Sequence, residues 1–557
     1  MNRSTNQLVQ AFNDLPRKEL DPPDKPNEWY FDVRYMHFEP NPYHALYIMH
    51  PHRQTFGSTP WLEPLPAGLP ANKNGLEFFP ECSREAAPEV ARAIMHTFLS
   101  NMGRRGPPPS APWKLITPDK ALRSAVNEEF RRIGIHSSLE IVEPSPAIRS
   151  IADDAFDTKF SILVNRNGIT GWELTEMIIP ESIIFSETTE AAPPVIMGKK
   201  TEWDICTAYV RHIMEARPIN QFSESATIIS EMGKEIRLLQ DRLVKFPEAV
   251  LRARADNGDH EAALDYGMRL RFGAGCNQDR TLSRVYLLKA LDSAAASDIF
   301  KATVHAALIE WYVDSRKDGI LKNRFMCAAA HHTKAAIQLS RRADPNRKYF
   351  CNAILDFSKT LIDLNEKIGT IGQIRILYPD IVQVRKLRDK QIEEEKKKQA
   401  MKRRKAPLRY RCAAAGCGIQ ADTGRLLSRC SGKCDPDKKP SYCSKECQKA
   451  DWKNHKPFCR EGAECSVIDD GYVDPDAPLQ GGSSKKEGTL QIPVTYKDGS
   501  TMYFSTSTLE PKVLKEMAES AKHHDPPAHL HDGMPKSWKV DVVDAPCTCC
   551  DRCRGSS

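Results

Sequence analysis

In the first 235 positions apolar residues fall at strand-like spacing in Trp29–Met36 and His44–His50. They fall at helical spacing in Pro88–Met102 and Ala121–Arg132, and an apolar run, Phe160–Val164, precedes a helix over Trp203–Ala216. Pro-rich loops separate these stretches, so residues 1–235 are expected to form an α/β region with long connections. Single histidines and cysteines here, such as Cys82 and Cys206, read as packing rather than chemistry.

From about Phe246 the pattern turns helical and Ala-rich, without the earlier Pro breaks. Ala262-Ala263-Leu264-Asp265-Tyr266-Gly267, Leu270, Phe272-Gly273-Ala274-Gly275, Asp279 and Tyr286-Leu287-Leu288-Lys289-Ala290 together resemble a Sel-like repeat, a relative of the tetratricopeptide repeats. Small residues at helical spacing let two helices approach closely, and Gly273 and Gly275 permit the positive φ of a tight connection. A second, degraded unit runs from Lys301 through Trp311-Tyr312 to Ala336, which sets the repeat region at 240–345. The helical stretches Pro247–Asn257 and Arg347–Asn365 would serve as its caps, since a solenoid core needs about three stacked units. A plain helical domain with a chance Gly-x-Gly is the alternative.

Residues 346–405 continue as helices and a charged linker. Glu393-Glu394-Glu395, Lys396-Lys397-Lys398 and Lys402-Arg403-Arg404-Lys405 suit a solvated helix with Glu-to-Lys pairs, and equally a two-part nuclear localisation signal. The expected location is therefore the nucleus, the cytoplasm or both.

Composition narrows the picture. At 557 residues, 40% hydrophobic and 27% charged, the chain has the make-up of ordinary globular protein. It contains no apolar run of about 18 residues to span a bilayer, so no membrane partner is expected. Met-Asn-Arg-Ser-Thr-Asn-Gln at the start lacks a secretory pattern, and Cys-Arg-Gly-Ser-Ser at the end is no prenylation box, which together point to an intracellular protein. Residues 385–411 hold 13 Lys/Arg against 4 Asp/Glu, a local +9 within a total of +7. A nucleic-acid surface spread over the whole chain is therefore not indicated. Of 17 cysteines, 12 lie between Cys412 and Cys553, a clustering that in a reducing compartment suggests metal before disulfides.

The strongest pattern is Cys412-x4-Cys417, Cys430-x3-Cys434, Cys443-x3-Cys447 and His455-x3-Cys459. Four pairs of soft ligands match two tetrahedral Zn²⁺ ions, and with every coordination position filled by protein the metal is structural. Such a site contributes on the order of 10–16 kcal/mol in peptides, enough to fold a segment with hardly any apolar core.

From Tyr442-Cys443-Ser444 through Gln448-x3-Trp452-x2-His455 the segment resembles the MYND zinc finger. Cys412 to Cys417 and Cys430 to Cys434 are wider than the family's common two-residue gap, and Cys465 stands as a spare ligand. The resemblance implies a cross-braced finger at 406–462, with Cys412, Cys417, Cys443 and Cys447 on one zinc and Cys430, Cys434, His455 and Cys459 on the other. Seven thiolates and two Zn²⁺ leave a charge of −3, offset by Lys433, Lys438, Lys439, Lys445, Lys449, Lys453, Lys456 and Arg460.

The resemblance further implies binding of extended Pro-rich peptides, with the family's contact positions falling on Ser431, Gln448 and Trp452. Trp452 offers a flat apolar face, while Ser431 and Gln448 suit hydrogen bonds to an extended backbone; packing of the small fold is the plainer role for Trp452. Pro60-Trp61-Leu62-Glu63-Pro64 fits the family's Pro-x-Leu-x-Pro ligand pattern. That segment is either an occupant of the chain's own finger or an ordinary Pro-rich loop.

In the tail, 463–557, Leu490–Tyr496 and Thr501–Ser505 read as a β-hairpin with Asp498-Gly499 at the turn, followed by a short helix at Pro511–Lys522. The rest of the tail is expected to be partly disordered. Its His523, His524, His529, His531, Cys547, Cys549, Cys550 and Cys553 are read as a third metal site or, for the cysteines, as flexible exposed thiols or lipidation sites. No SET-type Asn-His-Ser-Cys motif, nucleophile elbow or P-loop occurs, and the single His-x-Asp, at His523–Asp525, lies in the tail. The sequence thus predicts a multidomain zinc-binding adaptor: an α/β region, a helical-repeat middle, a two-zinc finger and a tail with a β-hairpin, similar in architecture to fungal MYND proteins. The finger would take Pro-rich peptides and the repeats a second protein. The alternatives are a DNA-binding transcriptional regulator using the basic 396–411 stretch, and an enzyme with an unfamiliar fold within 1–235.

Overall fold

The computed structural model describes residues 5–20, 24–52, 60–67, 75–100, 110–185, 201–217, 225–313, 323–405, 409–421, 426–466, 490–497, 499, 501–506 and 509–523. The chain divides into two compact units, one comprising Met1–Ile219 and Lys234–Leu387, the other Asn220–Gly233 and Arg388–Ser557.

The first unit is built on a five-stranded mixed sheet. Its strands are β1 (Glu28–Met36), β2 (Tyr43–Met49), β3 (Trp61–Leu65), β4 (Lys114–Ile116) and β5 (Glu140–Val142), in the order β3-β2-β1-β4-β5. β1 pairs antiparallel with β2 from Tyr30↔Met49 to Met36↔Tyr43, and parallel with β4. Eight of its nine residues are buried because helices cover both faces. Trp29, Phe31 and Val33 join Phe12 and Phe98 in one core, as the two-residue period of a strand requires. On the opposite face, buried Arg34 pairs with Asp32 at 2.8 Å and Asp153 at 2.9 Å, and its guanidinium lies 3.8 Å from the Phe156 ring centroid. The Phe160–Val164 run belongs to the long helix Pro146–Arg166, N-capped by Ser145.

Pro60–Pro64 is not a loop. Trp61–Leu65 forms the edge strand β3, paired with β2 from Ile48↔Trp61 to His44↔Leu65. Proline is tolerated there because the outer side of an edge strand needs no N–H donor.

The helical middle packs in pairs: His260–Phe272 on Arg280–Leu291, and Asp298–Val313 on Asn323–Ala343. A Cβ at Gly267 would stand 3.0 Å from Leu287 Cγ, so the first pair approaches as closely as glycine allows. Gly273 and Gly275 turn the chain at φ 79° and 67°. These helices share an interface with the sheet layer: Arg284 donates to the Leu76 carbonyl at 2.6 Å, Arg280 pairs with Glu81 at 3.2 Å, and Phe79 meets Tyr312 and Phe325 edge-on. The charged stretch is helical to Lys405 within Pro379–Lys405, with Glu393–Lys397 at 3.4 Å among its pairs. Among the described residues no helix is long and apolar enough to cross a membrane.

The second unit carries the cysteine cluster. Two small sheets hold it: β7 (Ser428–Arg429) with β8 (Ser441–Tyr442), and β6 (Gln420–Ala421) with β9 (Leu490–Thr495) and β10 (Thr501–Thr506). β9 and β10 are the expected hairpin, with Gly499 at φ 79° in its turn. The hairpin does not stand apart. β9 pairs with β6 through Gln420↔Gln491, and the Pro511–Ala521 helix buries Leu514 and Ala518 in a core with Ile419, Ile492, Val494 and the cysteines.

Candidate metal centre and peptide-contact surface

Positive-φ glycines, Gly416 at 72° and Gly418 at 67°, bracket Cys417 in a tight turn. The Cys412 N–H donates to the Ile419 carbonyl at 2.9 Å, closing this turn. Ser444 caps the Lys445–His455 helix through the Cys447 N–H, so Cys447 and His455 sit at opposite ends of one rigid element. Beneath it the buried Tyr442 hydroxyl donates to Asp451 at 2.8 Å.

The eight ligand atoms fall into two groups, Cys412/Cys417/Cys443/Cys447 and Cys430/Cys434/His455/Cys459, each with all its ligand atoms within 4.8 Å of one another. Four sulfurs at about 2.3 Å from a tetrahedral Zn²⁺ lie roughly 3.8 Å apart. The Sγ–Sγ separations are 3.5 Å (Cys417–Cys443 and Cys443–Cys447) and 3.7 Å (Cys417–Cys447) in the first group. In the second they are 3.8, 3.8 and 3.6 Å among Cys430, Cys434 and Cys459. A disulfide would bring two sulfurs to about 2.05 Å, so these are metal spacings. His455 Nε2 stands 3.3 Å from both Cys430 and Cys434 Sγ. Its Nδ1 lies 2.7 Å from Ser466 Oγ, a contact that orients the ring with Nε2 toward the thiolates. Burial lowers the His455 pKa, which keeps the ring in its ligand form. In the first group hydrogen bonds from Cys412 and Cys443 lower the Cys417 pKa and so favour its thiolate.

The two clusters therefore fit two zinc ions, with the first and third pairs on one and the second and fourth on the other. Cys465 is exposed and outside both. The wide gaps at Cys417 and Cys434 are absorbed by the turns rather than by the coordination sphere. Of the basic residues expected to offset the charge, Lys438 donates to the Ala463 carbonyl at 3.0 Å and Lys439 to the Gly432 carbonyl at 2.9 Å. The cation placed directly on a thiolate is one the sequence did not single out: Lys515 Nζ, from the Pro511–Ala521 helix, lies 2.7 Å from Cys447 Sγ.

Ser431 is exposed beside the Cys430 knuckle, Gln448 is half-buried, and Trp452, one helical turn on, is 42% exposed. The Trp452 and His455 rings meet edge-to-face, with centroids 6.1 Å apart. Among the described residues one further cluster has metal-ligand spacing, His212/Glu215/Glu310 in the helical middle. Glu310 there lies 3.8 Å from the buried Arg271, which supplies a positive charge without a metal. The tail residues from His524 onward, the other histidines and four cysteines included, lie outside the described residues.

Fold and ligand order define a small two-zinc, cross-braced finger. Residues 412–459 match the MYND finger family from the first ligand to the last, and this segment of the chain is a MYND finger. No match to a curated protein or to a solved structure is found. MYND fingers mediate protein–protein interaction, and this chain carries such a zinc-binding module.

Proposed function

We propose that the protein is an adaptor whose finger binds extended Pro-rich peptides across Ser431, Gln448 and Trp452. The observation that carries this reading is Trp452, 42% exposed on a helix that the metal ligands hold at both ends. A large ring left in water on a rigid element is a ready platform for Leu or Pro side chains. Gln448 stands one turn before it and Ser431 beside the neighbouring knuckle, where their polar groups can meet an extended backbone. Zinc supplies the bracing; recognition belongs to these side chains. The paired helices of the middle region, with their Gly-x-Gly turn, support a Sel-like reading and a second protein partner on that region. The two-part basic stretch supports nuclear import, with the cytoplasm as the alternative location. DNA binding through the basic 396–411 stretch is the alternative; the finger itself lends it less support, because Lys438, Lys439 and Lys515 are engaged within the finger unit. Alanine at Trp452 in the full chain, with zinc content measured alongside, tests the proposal. It predicts loss of binding to a Pro-x-Leu-x-Pro peptide at unchanged zinc content, and unchanged binding would refute it.

A further inference from the structure

A cavity of about 390 Å³ lies inside the first unit, where the end of β1, the 178–184 segment and the Asn323–Ala343 and Asn352–Lys367 helices meet. That volume is in the range of small-molecule sites. Most of its wall is aliphatic, including Ile178, Met326, Leu361 and Ile374. Two lining side chains stand out. Arg324 is 5% exposed, and its Nε and Nη2 are buried without a hydrogen-bond acceptor. Tyr35 is 4% exposed, and its hydroxyl likewise has none. The two pack around the same neighbours, since Arg324 Nη1 lies 3.2 Å from His44 Nε2 and the Tyr35 ring lies 5.0 Å from that of His44.

The guanidinium has neutral partners only: His44, the Pro80 carbonyl at 2.6 Å, and the faces of Phe79, Phe185 and Phe325. Ring faces attract a cation but accept few in-plane N–H bonds. The nearest carboxylates are used elsewhere, Glu81 by Arg280 and Glu85 by the Glu81 N–H. Burial pulls Arg324 down only to about 10, so it stays charged at neutral pH. Buried charges are ordinarily paired, and this one borders an apolar cavity. His37 and His44 are kept neutral by burial, so the ionised groups of the lining are Arg324, which is buried, and Glu181, which is exposed to solvent.

We propose that this cavity binds a small aliphatic monocarboxylate, its carboxylate received by Arg324 and Tyr35 and its hydrocarbon tail by the wall of Ile178, Met326, Leu361 and Ile374. Arg324 is the one buried cation of the lining and balances a monoanion, whereas a phosphate dianion would leave charge unpaired and meet the Glu181 carboxylate. The site is independent of the finger and of its peptide ligand.

The test is calorimetric titration of the full chain with octanoate and, separately, with 1-octanol. Saturable octanoate binding is expected, with the alcohol at least about tenfold weaker, since a charge-assisted hydrogen bond is worth about 1.5–3 kcal/mol. Arg324→Gln is expected to abolish the preference for the acid, and Tyr35→Phe to weaken it. Equal affinity for acid and alcohol would mean a plain apolar void and overturn the proposal. So would an absence of saturable octanoate binding, or unchanged octanoate affinity in Arg324→Gln. Should that variant fail to fold, Ala330→Leu decides, because it adds bulk to the cavity wall without touching the charge. Folded Ala330→Leu that binds octanoate as the wild type does overturns the proposal, and loss of binding supports it.

Discussion

Alanine at Gly432 strikes the second zinc site where it is tightest. A Cβ built there stands 2.2 Å from Cys459 Sγ and 3.4 Å from Cys430 Sγ, and the Gly432 N–H already donates to Cys430 Sγ at 3.3 Å. To reach ordinary contact, Cys459 Sγ has to retreat by about 1 Å, while a zinc–sulfur bond tolerates roughly 0.2 Å. The backbone of Gly432 is itself anchored, because its carbonyl accepts from Lys439. The expected result is ejection of Cys459 from the site. If four ligands share on the order of 10–16 kcal/mol, losing one costs about 2.5–4 kcal/mol, a weakening of roughly two to three orders of magnitude. Zinc release to a competing chelator, with alkylation of Cys459 read by mass spectrometry, measures it in the full chain. Gly416→Ala is the control. Nothing lies within 4 Å of a Cβ there, and its φ of 72° costs only about 1–2 kcal/mol of backbone strain. One labile and one retained zinc are expected in Gly432→Ala, and two retained zincs in Gly416→Ala. Two tightly held zincs and a protected Cys459 in Gly432→Ala would refute the assigned ligand set.

Other perturbations reach different parts of the molecule. Lys515→Met removes the ammonium from Cys447 and should speed alkylation of that thiol and loosen the Pro511–Ala521 helix in hydrogen exchange, with both zincs bound. Tyr442→Phe leaves buried Asp451 without its 2.8 Å donor and should cost about 1–3 kcal/mol in denaturant unfolding. Burial holds His37 at about 4, and His44 and His332 well below 6.5. The unfolded chain takes up protons on these rings below about pH 6.5 while the native state does not, so the first unit loses stability as pH falls from there toward 4. The slope is on the order of 1.4 kcal/mol per pH unit for each histidine, and unfolding curves at pH 7 and pH 5 check both sign and size. Alanine at Trp452 should weaken Pro-rich peptide binding by about 2 kcal/mol or more, read by calorimetry.

The metal ligands were legible because zinc fixes residue type and local spacing, and the β1–β2 pair because antiparallel strands joined by a short loop carry their own pattern. Gly273 and Gly275 take the positive φ that their spacing suggested. What stayed hidden is non-local. β4 and β5 are three residues each, too short for any periodicity, and find parallel partners far along the chain. The β9–β10 hairpin was visible, yet its seat against β6 depends on the Gln420↔Gln491 pairing across the intervening segment. Lys515 meets Cys447 only because that seat exists. Arg324 reads as an ordinary surface cation until the sheet layer and the helices close around it.

A zinc-braced finger that is a peptide-binding surface takes Pro-rich peptide in preference to DNA. The full chain, zinc-loaded, titrated with a Pro-x-Leu-x-Pro peptide and separately with a pool of duplex DNA at two salt concentrations, tests it most directly. Saturable peptide binding that tolerates salt is the predicted result. Binding to DNA alone, falling steeply as salt rises, would contradict it.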